Sequence, residues 1–320
     1  MKDNAVIRAE NLTIRFARRK MPDILAVRSV SLSIGEKETV ALVGESGSGK
    51  TTMGRALVRL LRPSRGTVWF KGQNVTTIHG KRLRHYHSQA QLIFQDPFAS
   101  LNPFHTVGYH LERPLMNLRG LSERVARETV SDLLMQVGLT PTLVYQRKYP
   151  HELSGGQRQR VAIARALAGN PALVVADEPI SMLDVSLRAE VLRLLQSIQE
   201  QHGLSYLYIT HDLASARYLA HRIAVMYGAS IVEMATAETL VRSPAHPYTH
   251  LLLAASVGSA TDALPETQSG APDLTESRVG CPFAPRCPLV MDRCRVETPP
   301  LVEVEPDHVS ACFLHQEGTP

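Results

Sequence analysis

The segment GESGSGKT, residues 44–51, has the composition of a loop that binds phosphate. Its glycines let backbone N–H groups approach phosphate oxygens, because no Cβ atom stands in the way. The helical pattern that begins at Lys50 points its positive end at the same anion. The spacing G-x-x-x-x-G-K-[ST] predicts that Lys50 reaches the β- and γ-phosphates and that the Thr51 hydroxyl binds Mg²⁺. The residues expected to contact a nucleotide are Gly44, Glu45, Ser46, Gly47, Ser48, Gly49, Lys50, Thr51 and Thr52.

Two adjacent acids follow an apolar run in ALVVADEP, residues 172–179. A buried strand that ends at Asp177 would let its carboxylate hold the Mg²⁺ ion. Glu178 beside it would accept a proton from the attacking water, as a general base. Such a pair can also be a solvated surface feature, but the phosphate loop upstream favours the catalytic interpretation.

The segment LSGGQ, residues 153–157, predicts a second anion site. Ser154 is a good helix N-cap, and Gly155 and Gly156 leave N–H groups exposed at the start of a helical pattern that includes Gln157. One chain with one triphosphate does not need two such sites. We therefore expect a dimer in which this helix faces the nucleotide of the partner chain; an ordinary helix start is the alternative.

The elements that must position these residues alternate along the chain. Short apolar runs and amphipathic stretches from Val6 to about Ala255 predict an α/β fold. Expected strands are Thr39–Val43, Leu173–Ala176 and Leu204–Thr210; expected helices are Lys50–Leu61, Ser122–Val137 and Ser186–Gln201. A stretch rich in Ser, Thr, Gly and Pro then predicts a linker. We divide the chain into a main domain at 1–255, a linker at 256–277 and a small Cys-rich C-terminal module at 278–320.

Composition excludes several classes of protein. With 44% hydrophobic and 20% charged residues, the chain can bury a core and is not a disordered tail. Only 5% of the residues are aromatic, and the net charge of +5 is not concentrated in a basic run, so we expect no nucleic-acid partner. No signal peptide or span of ~20 apolar residues is visible. We expect a soluble protein that serves a membrane only through a partner.

Six motifs together resemble the nucleotide-binding subunits of ABC transporters. They are GESGSGKT (44–51), FQDP (94–97), LSGGQ (153–157), VVADEP (174–179), SMLD (181–184) and THD (210–212), in the family's order over about 255 residues. The resemblance implies a P-loop NTPase fold of the ABC type, with a RecA-like core and a helical subdomain. It also implies an ATPase that uses ATP and Mg²⁺.

The resemblance further implies roles for single residues. Gln95 would contact Mg²⁺ and the attacking water and sense a membrane partner. Asp184 would cross the dimer, His211 would lie at the γ-phosphate, and Phe16 would stack on adenine. The usual family residues are replaced at Lys37, Ile180 and Met182, and none of these changes removes a catalytic group.

Three more segments are similar to the ATPases of dipeptide and oligopeptide importers: FQDPFASLNP (94–103), HPYTHLLLAA (246–255) and GCPFAPRCP (280–288). This implies a peripheral subunit at the cytoplasmic face of the inner membrane. Its partners would be a second ATPase subunit (itself or a paralogue), two transmembrane permease subunits and, indirectly, an extracytoplasmic peptide-binding protein. Leu101, Pro103 and Phe104 would form part of the permease socket, unless they belong to an ordinary packed loop. The alternatives are another cargo (nickel, glutathione or an opine) or a non-transport ABC ATPase.

All four cysteines lie near the C-terminus, at Cys281, Cys287, Cys294 and Cys312. A reducing compartment argues against disulfides, and four thiolates suit either Zn²⁺ or a 4Fe–4S cluster. A module of about 43 residues has little core, so a bound metal would help it to fold. The resemblance to peptide importers favours a structural 4Fe–4S cluster, while zinc and unligated thiols remain open.

Overall fold

The computed structural model describes residues 5–19, 21–256, 272–275 and 277–316. Most of the predicted linker, residues 257–271 and 276, lies outside these ranges. The strands are β1 (Ala5–Phe16), β2 (Ile24–Gly35), β3 (Thr39–Val43), β4 (Arg65–Phe70), β5 (Gln73–Asn74), β6 (Ala90–Ile93), β7 (Leu173–Asp177), β8 (Ser205–Thr210), β9 (Arg222–Tyr227), β10 (Ser230–Thr236), β11 (Val302–Glu305) and β12 (His308–Ser310).

The α-helices of the described residues include a run of five between β6 and β7, and one helix lies in the C-terminal segment. They are α1 (Lys50–Leu57), α2 (Gly80–Gln89), α3 (Pro97–Ser100), α4 (Val107–Arg119), α5 (Glu123–Gln136), α6 (Thr142–Arg147), α7 (Gly155–Leu167), α8 (Val185–His202), α9 (Leu213–Leu219), α10 (Ala237–Arg242), α11 (Pro247–Ser256) and α12 (Asp292–Val296). The predicted α/β pattern is confirmed, and within the described residues no helix is long and apolar enough to span a membrane.

The larger sheet has the order β11-β12-β10-β9-β3-β8-β7-β6, and its inner part from β9 to β6 is parallel. Every residue of β3, β7 and β8 is buried, as expected for parallel strands covered on both faces. Alternate side chains enter different cores: Val43 joins one hydrophobic cluster and Leu42 joins the other.

Different elements pack on the two faces of the larger sheet. One face of the sheet is packed by helices, among which α4, α5, α6 and α7 also pack against one another. The other face carries α1 and the antiparallel sheet β2-β1-β4-β5. The result is a sheet with a helical layer on one side and a smaller sheet on the other.

The register of the parallel strands brings their carboxyl ends to one edge. Val43 lies opposite Thr210, and Asp177 lies opposite Ile209. The segments that follow these residues therefore begin side by side. They are the predicted phosphate loop (from Gly44), the predicted general base Glu178 and the predicted γ-phosphate histidine His211, which are far apart in sequence but adjacent in space.

The C-terminal strands extend the same sheet, because β12 pairs with β10 and β11 pairs with β12. A buried carboxylate fixes this junction: Glu233 of β10 accepts hydrogen bonds from the backbone N–H groups of Ala245 and His246 and from the Thr249 hydroxyl. The His308 Nε2 atom of β12 lies 2.8 Å from the same carboxylate. Both Glu233 and His308 are almost fully buried, so the network ties the C-terminal segment to the main sheet.

Candidate nucleotide-binding site

The loop between β3 and α1 holds two glycines that no other residue could replace without moving the backbone. Gly44 has φ +158°, and a Cβ atom there would lie 2.1 Å from the Met226 carbonyl oxygen. Gly49 has φ +107°, and its Cβ would lie 2.0 Å from the carbonyl oxygen of Ala26. Close contact between the loop and strands β2 and β9 thus requires glycine at both positions.

Lys50 begins α1 with its side chain curled back into the loop. It is 5% exposed, and its ammonium group donates hydrogen bonds to the carbonyl oxygens of Gly44 (2.7 Å) and Glu45 (2.8 Å). Burial lowers the pKa of Lys50, and the nearby carboxylates of Glu178 and Asp177 oppose that shift. An ammonium group held here by neutral carbonyls is well placed to exchange them for phosphate oxygens.

Thr51 and Asp177 meet across the edge of the sheet. The Thr51 hydroxyl donates a hydrogen bond to the Asp177 carboxylate over 2.9 Å. Asp177 is 2% exposed, and burial raises its pKa, although the hydrogen bond from Thr51 opposes this. A hydroxyl and a buried carboxylate form a donor set that suits Mg²⁺, which prefers oxygen ligands.

Glu178 adopts a left-handed backbone conformation, with φ 45°. Its N–H donates to the Ile209 carbonyl over 2.9 Å, and its own carbonyl accepts from the Ser181 hydroxyl, so the turn is held from both sides. Such a conformation costs a non-glycine residue roughly 1–2 kcal/mol and is often found at functional sites. It turns the carboxylate toward two other residues: Gln95 Nε2 donates to Glu178 Oε2 over 3.0 Å, and His211 Nδ1 lies 3.4 Å from the same oxygen.

These groups surround one open cavity of about 660 Å³, within the range of ~300–1,000 Å³ typical of ligand sites. The sequence-predicted residues in its lining are Gly44, Glu45, Ser46, Gly47, Gly49, Lys50, Thr51, Thr52, Gln95, Glu178 and His211. The structure thus gathers most of the predicted residues at a single site. Asp177 lies behind it, joined through Thr51.

Other predicted residues lie away from this cavity. Phe16, at the end of β1, is 43% exposed and does not line it, whereas Ala26 of β2 does. The Ser48 side chain is buried, and its hydroxyl makes no hydrogen bond within the described residues. Asp184 is exposed at the start of α8, and among the described residues its side chain makes no capping hydrogen bond.

The segment LSGGQ forms the N-terminal cap of α7, outside the cavity. The Ser154 hydroxyl accepts from the Gln157 N–H (3.2 Å), and the Gln157 side-chain oxygen accepts from the Ser154 N–H (3.1 Å). This reciprocal capping box fixes the helix start, while Ser154 itself stays exposed and Gly155 partly so. At this helix start, the exposed Ser154 and the partly exposed Gly155 are accessible to a group of another molecule.

Sequence reasoning missed a group of residues at the rim of the cavity. Tyr248 and Leu252 come from α11, and Leu252 lines the cavity. The Tyr248 hydroxyl accepts a hydrogen bond from the Glu45 N–H over 2.9 Å, and Arg286 lies 2.8 Å from the Glu45 carboxylate. Tyr248 and Leu252 belong to the segment HPYTHLLLAA, which is similar to a segment of the peptide-importer ATPases. Nothing in that segment indicates a contact with the phosphate loop.

The expected 4Fe–4S cluster at the cysteines is not supported. Cys281, Cys287, Cys294 and Cys312 all line one apolar cavity, but its volume is about 10 Å³, no more than the ~10–15 Å³ that one water molecule needs. Without a bound metal, burial raises the pKa of the Cys281 thiol to about 11, so the protonated thiol predominates. Among the described residues, no group of three or more His, Cys, Asp or Glu side chains is placed to hold a metal ion. The described residues therefore give no support to the expected cluster.

A glycine-rich loop between a parallel strand and a helix, with a lysine at its end and carboxylates on the neighbouring strand, defines a P-loop nucleotide hydrolase. Comparison with known proteins narrows the class. Residues 27–181 match the family "ABC transporter", and residues 232–294 match the family "Oligopeptide/dipeptide transporter, C-terminal region".

Relatives cover nearly the whole chain. The "Probable peptide ABC transporter ATP-binding protein y4tS" of Sinorhizobium fredii is 41% identical, over 97% of this chain and 90% of its own. The "Oligopeptide transport ATP-binding protein AppF" of Bacillus subtilis is 40% identical, over 93% of this chain and 92% of its own. A solved structure, the dimeric ABC transporter cassette MJ0796, is 31% identical with a TM-score of 0.66 and covers 72% of this chain and 98% of that one.

The chain therefore belongs to the family of ABC transporter ATP-binding proteins and has the fold of an ABC ATPase cassette. It is an ATPase of the ABC type. The sequence-based assignment to this family, including its peptide-transporter C-terminal region, is confirmed.

Proposed function

We propose that this chain is the ATP-hydrolysing subunit of an importer for dipeptides and oligopeptides. The observation that carries the catalytic part is the single cavity in which the loop 44–52, Gln95, Glu178 and His211 converge, with Asp177 behind Thr51. The peptide cargo is supported by the match to the oligopeptide/dipeptide C-terminal region and by the names of the relatives.

The residues divide the work of binding and hydrolysis. Backbone N–H groups of the loop bind the triphosphate, and Lys50 exchanges its two carbonyl partners for β- and γ-phosphate oxygens. Thr51, Asp177 and Gln95 would hold Mg²⁺, which when bound offsets the phosphate charge. Their oxygen-rich donor set fits that ion.

Glu178 acts as the general base. It takes the proton of the attacking water, while the amide of Gln95 keeps the carboxylate turned into the cavity. His211, 3.4 Å from the same carboxylate, donates to the γ-phosphate and stabilises the charge that develops there. Phe16, which the resemblance implied would stack on adenine, lies outside the cavity lining.

Two chains are proposed to close over two nucleotides. The support lies in the exposed cap of α7 and in the apolar side chains beside Asp184: Met182 is 56% exposed and Val185 is 82% exposed. Exposed apolar side chains at the start of α8, where the Asp184 side chain makes no capping hydrogen bond to the described residues, indicate a surface that another molecule covers. The solved relative MJ0796 is dimeric.

The permease is proposed to dock beside the segment that follows Gln95. Phe104 is 85% exposed and Phe98 is 52% exposed, with the Arg158 guanidinium 3.6 Å from the Phe98 ring centre. Leu101, which we expected in the same socket, is 2% exposed and belongs to the core. The proposed docking surface therefore consists of Phe98, Pro103 and Phe104. We propose that the subunit binds the permease there, at the cytoplasmic face of the membrane.

Phe104→Ser tests the docking surface. Peptide uptake should fall while the ATPase activity of the purified chain is kept, because Phe104 lies outside the cavity. Met21→Ser is the matched control, since Met21 is also an exposed apolar residue (58%) but lies in the turn between β1 and β2. Normal uptake by Phe104→Ser would place the permease elsewhere.

Transport of labelled dipeptides and oligopeptides tests the cargo. Cells that lack the gene should lose uptake, and wild type but not Lys50→Ala should restore it, because Lys50 holds the triphosphate. If peptide uptake never depends on the gene, the peptide assignment fails. Nickel, glutathione and opine uptake would then be measured in the same strains, and dependence on none of them would favour a non-transport ATPase.

A further inference from the structure

The C-terminal segment around the cysteines lies directly on the phosphate loop. Arg286 stands between Cys281 and Cys287, in a 3-10 turn at Ala284–Arg286. Its Nη1 atom lies 2.8 Å from the Glu45 carboxylate, across 241 residues of sequence. The guanidinium also lies over the rings of Tyr227 (5.7 Å) and Phe283 (6.0 Å), so it is held by packing as well as by charge.

A second contact fixes the backbone of the same loop residue. The Glu45 N–H donates to the Tyr248 hydroxyl over 2.9 Å. Tyr248 is fully buried and packs against Tyr227 and Phe283, with ring centres 4.6 and 5.5 Å away. Glu45 is therefore held twice by residues that lie between β10 and β11 in sequence: by Tyr248 at its backbone and by Arg286 at its side chain.

The charge of Glu45 explains why this matters for nucleotide binding. Glu45 lines the cavity, and its carbonyl oxygen accepts one of the two hydrogen bonds of Lys50. A carboxylate at this rim repels a bound triphosphate unless a cation neutralises it and holds it aside. Within the described residues, Arg286 is the basic side chain that forms an ion pair with Glu45.

We propose that Arg286 is a positioning residue of the ATPase, which neutralises and orients Glu45 and thereby sets the affinity of the phosphate loop for ATP. The inference rests on the proposed binding of ATP in the loop 44–52. It gives the C-terminal segment a direct influence on the nucleotide site, independent of any metal at the cysteines.

The test is a double-mutant cycle on the full chain. Arg286→Met removes the charge but keeps a long apolar side chain against Tyr227 and Phe283. It should raise the KM for ATP up to about fivefold and leave kcat within about twofold, because a charge-assisted contact at a partly exposed site is lost while the catalytic groups stay in place. Arg286→Lys, which keeps the charge, should recover most of the affinity.

A second variant, Glu45→Gln, separates the effect of the Arg286–Glu45 charge pair from a structural effect of Arg286→Met. In that background Arg286→Met should change KM by less than about twofold, because no carboxylate is left to neutralise. Arg293→Ala is the matched control: Arg293 belongs to the same C-terminal segment but pairs with Glu297. It should leave KM unchanged.

Three results would overturn the inference: an unchanged KM in Arg286→Met, an equal loss in the Glu45→Gln background, or no recovery with Arg286→Lys. Thermal unfolding of every variant shows whether a loss reflects unfolding instead. A wild-type chain that does not bind ATP at all would instead refute the proposed nucleotide site. The two failures are thus distinguishable.

Discussion

Gly49→Ala is the sharpest structural test of the phosphate loop. The substitution adds one carbon, but that carbon would lie 2.0 Å from the Ala26 carbonyl oxygen and 2.8 Å from the Met226 side chain. Cβ atoms essentially never approach a neighbour within 3.0 Å, so the loop must move away from β2 by about 1 Å. The left-handed φ of +107° adds strain of roughly 1–2 kcal/mol for any residue with a Cβ.

The expected loss of activity follows from that displacement. The N–H groups that bind phosphate and the Lys50 ammonium move together with the loop, and a misplacement of ~1 Å costs about 10²-fold in rate. We predict that Gly49→Ala lowers kcat/KM for ATP about 10²-fold. It should also lower the free energy of unfolding by more than the strain in φ alone.

Gly72→Ala measures the strain in φ without the clash. Gly72 has φ +76° in the turn between β4 and β5, and its Cβ would meet nothing within 4 Å. This control should lose about 1 kcal/mol of stability and keep kcat/KM within about twofold. Steady-state ATPase rates and urea unfolding of both variants make the comparison. If Gly49→Ala keeps wild-type kcat/KM and loses no more stability than Gly72→Ala, the close approach of the loop to β2 is not needed for function.

Two further predictions concern protonation and metal binding. Burial lowers the pKa of His246 to about 4 from 6.5, so between these values the unfolded chain binds a proton that the folded chain does not. Stability should therefore fall by about 2 kcal/mol between pH 8 and pH 5 through this residue. In His246→Asn the amide oxygen can still accept the Tyr248 N–H. Urea unfolding should show that, from pH 8 to pH 5, this variant loses about 2 kcal/mol less free energy of unfolding than the wild type. Equal pH dependence in both proteins would contradict this. Asp177→Asn should raise the Mg²⁺ concentration needed for half-maximal ATPase activity at least tenfold. The control Asp132→Asn, at an exposed position of α5, should leave that concentration unchanged. An unchanged Mg²⁺ requirement in Asp177→Asn would remove Asp177 from the metal site.

The local parts of the site could be predicted because they depend on short sequence segments. The strand Thr39–Val43 is confirmed residue for residue, since five consecutive apolar or β-branched residues before a glycine turn specify a buried strand. The capping box of Ser154 and Gln157 follows from the S-x-x-Q spacing. Helix α1 is shorter than predicted and ends at Leu57, because Arg59 adopts a left-handed backbone with φ 61°.

The long-range parts could not be predicted. Glu45 meets Tyr248 and Arg286 only because β9, β10 and α11 bring the C-terminal segment back to the loop. The buried pair of Glu233 and His308 spans 75 residues, and neither residue belongs to a recognisable motif. Such contacts depend on the packing of whole elements, which local sequence patterns do not encode.

The central claim is that Glu178 is the base in an ATPase that closes as a pair of chains. Glu178→Gln keeps the size of the side chain but cannot take a proton, so we predict normal binding of MgATP and hydrolysis reduced by at least about 10²-fold. Size-exclusion chromatography should then show a stable dimer with ATP and monomer without it. The matched control Glu128→Gln, on an exposed position of α5, should hydrolyse ATP like wild type. Wild-type turnover by Glu178→Gln, with no ATP-dependent dimer, would contradict the account.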